Sequence, residues 1–60
     1  MTTSEQVRAI RQRTGLSQAA FADKYDIPKR TIENWEAGKR EPPIYVLRML
    51  DVLADHPEFL

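Results

Sequence analysis

The side chains best suited to chemistry in this sequence follow Pro28. Lys29 and Arg30 come directly after the proline, and Asn34 lies four residues beyond Arg30, about one helical turn away. The N-terminus of a helix already carries positive partial charge, so two cations there are unfavourable in an isolated helix. They become favourable when an anion docks at that end, and a nucleic-acid backbone is such an anion. The alternative is that both cations only keep the surface soluble.

The sequence offers no catalytic or metal-binding group. Glu36 has no second carboxylate, nucleophile or metal ligand at a fitting spacing, so we expect it to form a salt bridge. His56 is the single histidine and stands beside Pro57, which favours a cap or loop role. The chain has no cysteine, which excludes disulfides and thiolate ligands. We therefore expect no enzyme activity, no metal and no cofactor.

Length and composition indicate one small globular domain over residues 1–60. Hydrophobic residues make up 42% of the chain and charged residues 30%, a globular composition. At this size, roughly 60% of the unfolded surface is buried on folding. No apolar run approaches the ~18 residues of a membrane span, and the first residues have no apolar signal-peptide core. We expect a cytoplasmic protein that does not bind membranes.

The zero net charge conceals an asymmetry. Residues 1–30 carry six cations and three anions, whereas residues 31–60 carry three cations and six anions. The first half therefore has a net charge of +3 and the second half a net charge of −3. Such a dipole can present a positive face to an anionic partner. A solvated surface of mixed charge is the alternative.

The apolar periodicity predicts an all-α protein of four short helices followed by a stub. We expect the helices over about 4–14, 18–24, 29–37 and 43–55, joined by loops of a few residues that make consecutive helices neighbours. Thr3 with Gln6 predicts a capping box for the first helix, and Ser17 predicts the cap of the second. Gly15 and Gly38 follow the first and third helices, where a glycine tolerates positive φ.

A motif extends over residues 15–42, GLSQAAFADKYDIPKRTIENWEAGKREP. Its residues combine a cap, a core pattern and a loop at fixed offsets: Leu16, Ser17, Gln18, Phe21, Ala22, Ile27, Thr31, Ile32, Trp35, Glu36, Gly38 and Pro42. This pattern resembles the helix-turn-helix of phage Cro and repressor proteins, the XRE family, and the resemblance covers about residues 4–55. It implies a lambda-repressor-like four-helix fold with the helix-turn-helix at about 17–38. Family members dock their second motif helix in the major groove of DNA.

The resemblance also implies roles for individual residues. Arg11 would pair with Glu36 in a partly buried structural salt bridge. The other implied positions face double-stranded DNA, either its phosphates or its major groove: Ser17, Gln18, Lys29, Arg30, Thr31, Asn34, Lys39 and Arg40. Arg13 of the first helix is a further candidate for a phosphate contact.

Side-chain chemistry selects the base contacts among these positions. Arginine can bond two acceptors of guanine, and asparagine can pair with adenine, so Arg30 and Asn34 are the expected base readers. Lys29 can serve either a base or a phosphate. Glu33 can accept from cytosine or orient Arg30, and we favour the second role. Trp35 lies opposite the cations, which favours core packing over base stacking.

The fourth helix has more apolar residues than its core stripe needs. Tyr45, Met49 and Val52 recur on another flank, and with Phe59 and Leu60 they form a candidate homodimer contact. A tail that folds back over this flank is the alternative. A two-fold dimer would place two recognition helices about 34 Å apart on a palindromic operator.

The tail LDVLADHPEFL resembles that of antitoxin-type members, although their usual fifth helix is nearly absent here. The family implies a transcriptional regulator that is encoded by a bacterium or a phage and is associated with the nucleoid. Such a regulator would be an autorepressing antitoxin, a phage switch or an anti-CRISPR-associated protein. A toxin or other protein is a possible partner. The alternative function is a protein-interaction module with little affinity for DNA, for which the zero net charge is the best argument. Salt-dependent binding to duplex DNA separates the two.

Overall fold

The computed structural model describes residues 1–56 and 58. Four helices follow one another: α1 (Thr3–Thr14), α2 (Gln18–Lys24), α3 (Lys29–Ala37) and α4 (Ile44–Ala54). No strand is present in this part of the chain, which confirms the all-α prediction. The bounds of α2 and α3 are those that the sequence predicts, whereas α4 is one residue shorter at each end because Pro43 and Asp55 are its caps.

One apolar core holds the four helices together. Phe21, Ile32 and Val7 are almost completely buried, and each such side chain contributes about 1.5–3 kcal/mol through loss of contact with water. The remaining members of the core come from all four helices: Ile10, Ala22, Trp35, Leu47 and Leu50. Helix α1 packs against both α3 and α4, and α2 packs against α3. The core therefore fixes the positions of α2 and α3, the two helices of the motif.

The cap of α1 differs from the sequence prediction by one residue. Thr2, not Thr3, is the N-cap: its hydroxyl accepts from the Glu5 backbone N–H at 3.2 Å, and Glu5 Oε1 accepts from the Thr2 backbone N–H at 2.9 Å. This is the reciprocal arrangement of a capping box. The sequence holds two consecutive threonines, and Glu5 fits the box with Thr2 as well as Gln6 fits it with Thr3. Ser17 caps α2 as predicted, with its hydroxyl accepting from the Ala20 N–H at 3.1 Å.

The turns that end α2 and α3 use the same hydrogen-bond pattern. After α3, the Lys39 N–H donates to the Asn34 carbonyl at 2.9 Å and the Gly38 N–H donates to the Trp35 carbonyl at 3.3 Å, with Gly38 at φ 78°. This is a Schellman ending, which requires a left-handed residue. After α2, Asp26 takes the left-handed position at φ 57°, and the Ile27 N–H donates to the Ala22 carbonyl at 2.9 Å. Aspartate tolerates this conformation better than most residues, so the short turn between α2 and α3 forms without a glycine.

Arg13 fastens α1 to α4. Its guanidinium donates to Asp51 Oδ1 and to the Asp51 carbonyl, both at 2.8 Å, and lies 3.2 Å from Asp55 Oδ1. The hydrogen bond that Arg13 donates to the Asp51 carboxylate raises the pKa of Arg13, partly opposed by desolvation. These contacts occupy much of the guanidinium, although the Arg13 side chain stays 40% exposed, and a phosphate contact by Arg13 stays a prediction.

Candidate nucleic-acid interface

Helix α3 presents a polar face directly opposite the core. Each residue of an α-helix advances by about 100° around the axis, so Arg30 and Asn34 point away from the buried side chains of Ile32 and Trp35. Arg30 is exposed and Asn34 is half-buried. Neither side chain forms a hydrogen bond or ion pair with the part of the chain that the structure describes. Both side chains therefore keep their hydrogen-bonding groups available for an external partner.

Lys29 lies at the edge of this face and has a partner within its own helix. Its Nζ is 3.8 Å from Glu33 Oε2, and both side chains are about half exposed. Such an exposed pair is worth little in water. Glu33 thus approaches Lys29 and not Arg30, which differs from the favoured interpretation that Glu33 orients Arg30.

Two more cations follow α3 in the loop. Lys39 and Arg40 are exposed and form no ion pair among residues 1–56 and 58. Their backbone N–H groups both donate to the Asn34 carbonyl, at 2.9 and 3.4 Å, which anchors the loop to the last turn of the helix. A positive charge beside a helix C-terminus interacts favourably with the macrodipole. The loop therefore holds two available cations close to α3.

The start of α2 adds small polar groups. Ser17 is exposed, and its oxygen already accepts the capping hydrogen bond from Ala20. A hydroxyl group can still donate its own hydrogen to an outside acceptor. Gln18 is half-buried, and its Nε2 donates to Glu36 Oε1 at 3.2 Å. Gln18 thus joins α2 to α3, a contact that the sequence did not predict.

Glu36 connects the three helices around the motif. It is only 5% exposed, and Arg11 donates to both of its oxygens, from Nε at 2.6 Å and from Nη2 at 3.0 Å. Arg11 Nη1 also donates to the Leu16 carbonyl at 3.0 Å, and Arg8 donates to the Glu36 carbonyl at 3.1 Å. The pair thus has the bidentate geometry that arginine forms best with a carboxylate. It ties α1 to the end of α3 and to Leu16, the residue before the N-cap of α2.

The environment keeps Glu36 ionised. Burial raises the pKa of Glu36, but hydrogen bonds from Arg11 and Gln18, together with the charges of Arg11 and Arg8, outweigh burial and hold the pKa below its ordinary value. The hydrogen bond to Glu36 also raises the pKa of Arg11. No buried side-chain nitrogen or oxygen lacks a hydrogen-bond partner in the described residues. The arrangement is that of a structural ion pair whose hydrogen bonds are satisfied.

The sequence of this chain matches a known protein family. The Helix-turn-helix family matches residues 7–51, three quarters of the chain. The chain belongs to the helix-turn-helix family of the XRE type. This membership confirms the resemblance that the sequence motif indicates.

The chain is also similar to a protein that is named as an antitoxin. Antitoxin HigA-2 of Vibrio cholerae serotype O1 is 32% identical over 56 residues, which are 93% of this chain and 54% of that protein. The chain therefore spans about half the length of this relative. No solved structure matches the chain significantly. Among the described residues, no helix combines the length and apolar character that crossing a membrane requires.

Helix α3 exposes one further residue on the side of Arg30 and Asn34, which the sequence motif did not single out. Ala37 is exposed and lies seven residues after Arg30 and three after Asn34, so it continues the same side of α3. Its methyl group is of the kind that contacts the thymine methyl in the major groove. The helical spacing from Arg30 was the sequence feature that could have identified it.

The described residues among the dimer candidates lie on α4, outside the two helices of the motif. Tyr45, Met49 and Val52 are 65%, 58% and 56% exposed. At about 100° per residue they point directly away from the buried Leu47 and Leu50. Phe59 and Leu60, the other two candidates, lie outside the described residues.

Proposed function

We propose that this chain is a sequence-specific regulator that inserts α3 into the major groove of double-stranded DNA and represses transcription by occupying an operator. The observation that carries the proposal is that exposed Arg30 and half-buried Asn34, on the side of α3 away from the core, have no side-chain partner within residues 1–56 and 58. The three arginines of α1 differ, because Arg8, Arg11 and Arg13 all contact acceptors within the chain. Intramolecular contacts hold the cations of α1 in the fold, whereas Arg30 is left for a ligand.

Arg30 and Asn34 are the proposed base readers. A guanidinium can donate two parallel hydrogen bonds to guanine, and a carboxamide can both donate to and accept from adenine. Each good bidentate contact discriminates against a wrong base by about 1–3 kcal/mol. The Ala37 methyl group is proposed to touch a thymine methyl on the same side of the helix.

The remaining polar residues of the interface are proposed to hold the DNA backbone. Phosphate contacts fix the register of a protein on the duplex and carry most of the salt-dependent affinity. Lys39 and Arg40 would contact DNA phosphates beyond the end of α3. Lys29 and the half-buried Thr31 would lie at the edge of the major groove. Around the start of α2, the same role is assigned to Ser17 and Gln18.

The biological setting is proposed from the relative. That protein is called an antitoxin, which supports an antitoxin regulator that represses its own operon and has a toxin as its protein partner. A cytoplasmic location in a bacterium or phage-infected cell, at the nucleoid, fits such a role. A phage switch and an anti-CRISPR-associated regulator share the same DNA-binding chemistry.

The experiment is selection of bound sequences from a random duplex library with the unmodified chain, Arg30→Ala and Arg40→Ala. Arg30→Ala should lose the preference for one or two bases, because it removes a base reader. Arg40→Ala is the matched control: it removes the same charge from the loop, so it should weaken all sequences alike and lower the salt slope by about 1. Identical effects of both substitutions on base preference would refute the assignment of Arg30.

The salt titration of the unmodified chain tests DNA binding itself. A protein that makes six to ten phosphate contacts loses about 10³–10⁵ in affinity between 50 and 200 mM salt. A folded chain that binds no duplex even at 50 mM salt would contradict the proposal and leave the protein-interaction module as the function.

A further inference from the structure

A groove runs between α1 and α4. Its volume is about 480 Å³, which lies within the range of about 300–1,000 Å³ that is typical of ligand sites. The floor is apolar, because Ile10 and Leu47 are buried there and the neighbouring side chain of Ala9 is small. The lining extends over residues 6–13 of α1 and 44–51 of α4, so the groove follows both helices for two turns, or about 10 Å.

Two exposed apolar side chains enlarge this surface at the start of the groove. Met1 and Ile44 both line the groove, yet Met1 is 84% exposed and Ile44 is 62% exposed. A small molecule on the floor would leave most of these two side chains in water, whereas a polypeptide segment that lies along the groove would cover them. Exposed apolar surface beside an apolar floor therefore favours a protein as the occupant.

One cation of the groove has no partner in the described fold. Arg13 and Asp51, at the far end of the groove, bond to each other at 2.8 Å. Arg48 lies one turn before Asp51, but it is exposed and forms no hydrogen bond or ion pair within residues 1–56 and 58. The unpaired charge of the groove is therefore positive, and the complementary ligand carries an acidic group.

We infer that this groove binds an amphipathic helical segment of a partner protein, with apolar side chains against Ile10 and Leu47 and a carboxylate on Arg48. A helix that binds in a groove uses anchors three, four and seven residues apart, so two turns take two apolar anchors and one acid. A guanidinium and a carboxylate can form two parallel hydrogen bonds. DNA fits this groove poorly, because its closely spaced phosphates would meet an apolar floor and a single unpaired cation.

The groove and the proposed DNA interface use different residues. Arg13 is the one groove residue that is also a candidate for a phosphate contact. On the proposed function, the helical segment would belong to the protein partner of the regulator. The tests below contain no DNA, so their failure would leave the proposed function standing, and a chain that binds the segment but no duplex would support the groove alone.

The first test is an NMR titration of the isotope-labelled chain with a synthetic peptide. The probe is a capped, alanine-rich helix of about 15 residues, with two leucines four residues apart and a glutamate one turn further on. Its dissociation constant should be below about 1 mM, and it should shift the amide signals of the residues that line the groove. A second peptide with glutamine in place of the glutamate should bind about fivefold more weakly, because it lacks the charge-assisted contact. Equal affinity of the two peptides, or no binding at 1 mM, would overturn the inference.

The second test locates the site with two matched substitutions. Ile44→Glu and Tyr45→Glu each add one acid to α4 at a side chain that is more than half exposed, and of the two residues Ile44 is the one that lines the groove. Like charges brought together at an interface weaken binding strongly, so Ile44→Glu should reduce the affinity for the glutamate peptide about tenfold or more, and Tyr45→Glu less than about twofold. Both variants should keep the circular dichroism spectrum of the unmodified chain. Equal losses of affinity would place the peptide outside the groove and contradict the inference.

A charge exchange tests the contact with Arg48. Arg48→Glu should bind the glutamate peptide about tenfold more weakly than the unmodified chain does. The same variant should prefer a peptide with lysine in place of the glutamate, because the exchange restores opposite charges. An Arg48→Glu variant that still prefers the glutamate peptide would refute this pairing.

Two further measurements test the other possible occupants. Hexanoate carries a carboxylate on one apolar chain and should bind about tenfold more weakly than the glutamate peptide, since it covers less of the groove; equal affinity would assign the groove to a small molecule. Sedimentation equilibrium without peptide should give the same mass for the unmodified chain and for Ile44→Glu. A dimer that Ile44→Glu dissociates would assign the groove to a second copy of the chain, and either of these results would overturn the inference.

Discussion

Glu36→Ala tests whether the buried ion pair holds the motif together. The substitution removes the acceptor of three side-chain hydrogen bonds, two from Arg11 and one from Gln18. Removing one partner of a buried pair costs about 3–5 kcal/mol, because the other charge stays buried without compensation. Arg11 is 18% exposed and keeps its bond to the Leu16 carbonyl, which reduces the expected loss to about 2–4 kcal/mol.

That loss is large for a chain of this length. Sixty residues correspond to a total stability of about 3–9 kcal/mol, so Glu36→Ala should lower the melting temperature by about 10–30 °C. The assay is urea denaturation followed by circular dichroism. Glu33→Ala is the matched control, since it removes a carboxylate from the exposed side of the same helix. Apart from any gain in helix propensity, it should lower the free energy of unfolding by less than about 0.5 kcal/mol.

A double-mutant cycle separates the pair from its individual residues. Replacing Arg11 by methionine together with Glu36 by leucine removes both charges and leaves neither one stranded, so it should cost less than the sum of the two single changes. The reasoning is refuted if Glu36→Ala lies within 0.5 kcal/mol of Glu33→Ala, or if the single costs simply add.

Three further predictions concern pH and backbone geometry. The folded state holds the pKa of Glu36 below its ordinary value. The stabilisation that ionised Glu36 gives the fold is therefore complete above the unfolded pKa of about 4.3 and disappears as the pH falls through the folded pKa. Unfolding free energies measured over that acid range should fall less steeply with pH for Glu36→Gln than for the unmodified chain. Gly38→Ala should lower the stability by about 1 kcal/mol, because Gly38 has a left-handed φ of 78°, even though nothing lies within 4 Å of the added Cβ. Thermal melting measures this loss, and an unchanged melting temperature would contradict the left-handed ending of α3. Thr2→Ala should cost about 1 kcal/mol as the loss of an N-cap, and Thr3→Ala much less; the reverse order would restore Thr3 as the cap.

The sequence predicted the fold well because local rules and the core pattern agree. Apolar spacing, Ser17 and Gly38 each mark a boundary that the structure shows within one residue. The cap of α1 was misplaced by one position because two threonines compete for it. The left-handed Asp26 could not be foreseen with certainty, because aspartate also fits many other backbone conformations.

The candidate interface was predictable only in its chemistry. The types and spacing of Arg30 and Asn34 follow from the sequence, but the destination of each remaining polar side chain depends on packing between distant segments. Arg13 meets Asp51, 38 residues away, and Gln18 meets Glu36, 18 residues away. Such contacts require the relative positions of whole helices, which no local pattern contains.

The zero net charge is compatible with a DNA-binding surface because the charges are sorted in space. Glu36 and Asp51 lie against the arginines of α1, so they neutralise cations within the fold. Arg30 and the loop cations after α3 have no such partners in the described residues. Exposed charges are screened beyond about 10 Å at 0.1 M salt, whereas the molecule is 30 Å in its longest dimension. A phosphate group at α3 therefore responds to the nearby cations far more than to the total charge, and raising the salt concentration should weaken binding through those few contacts.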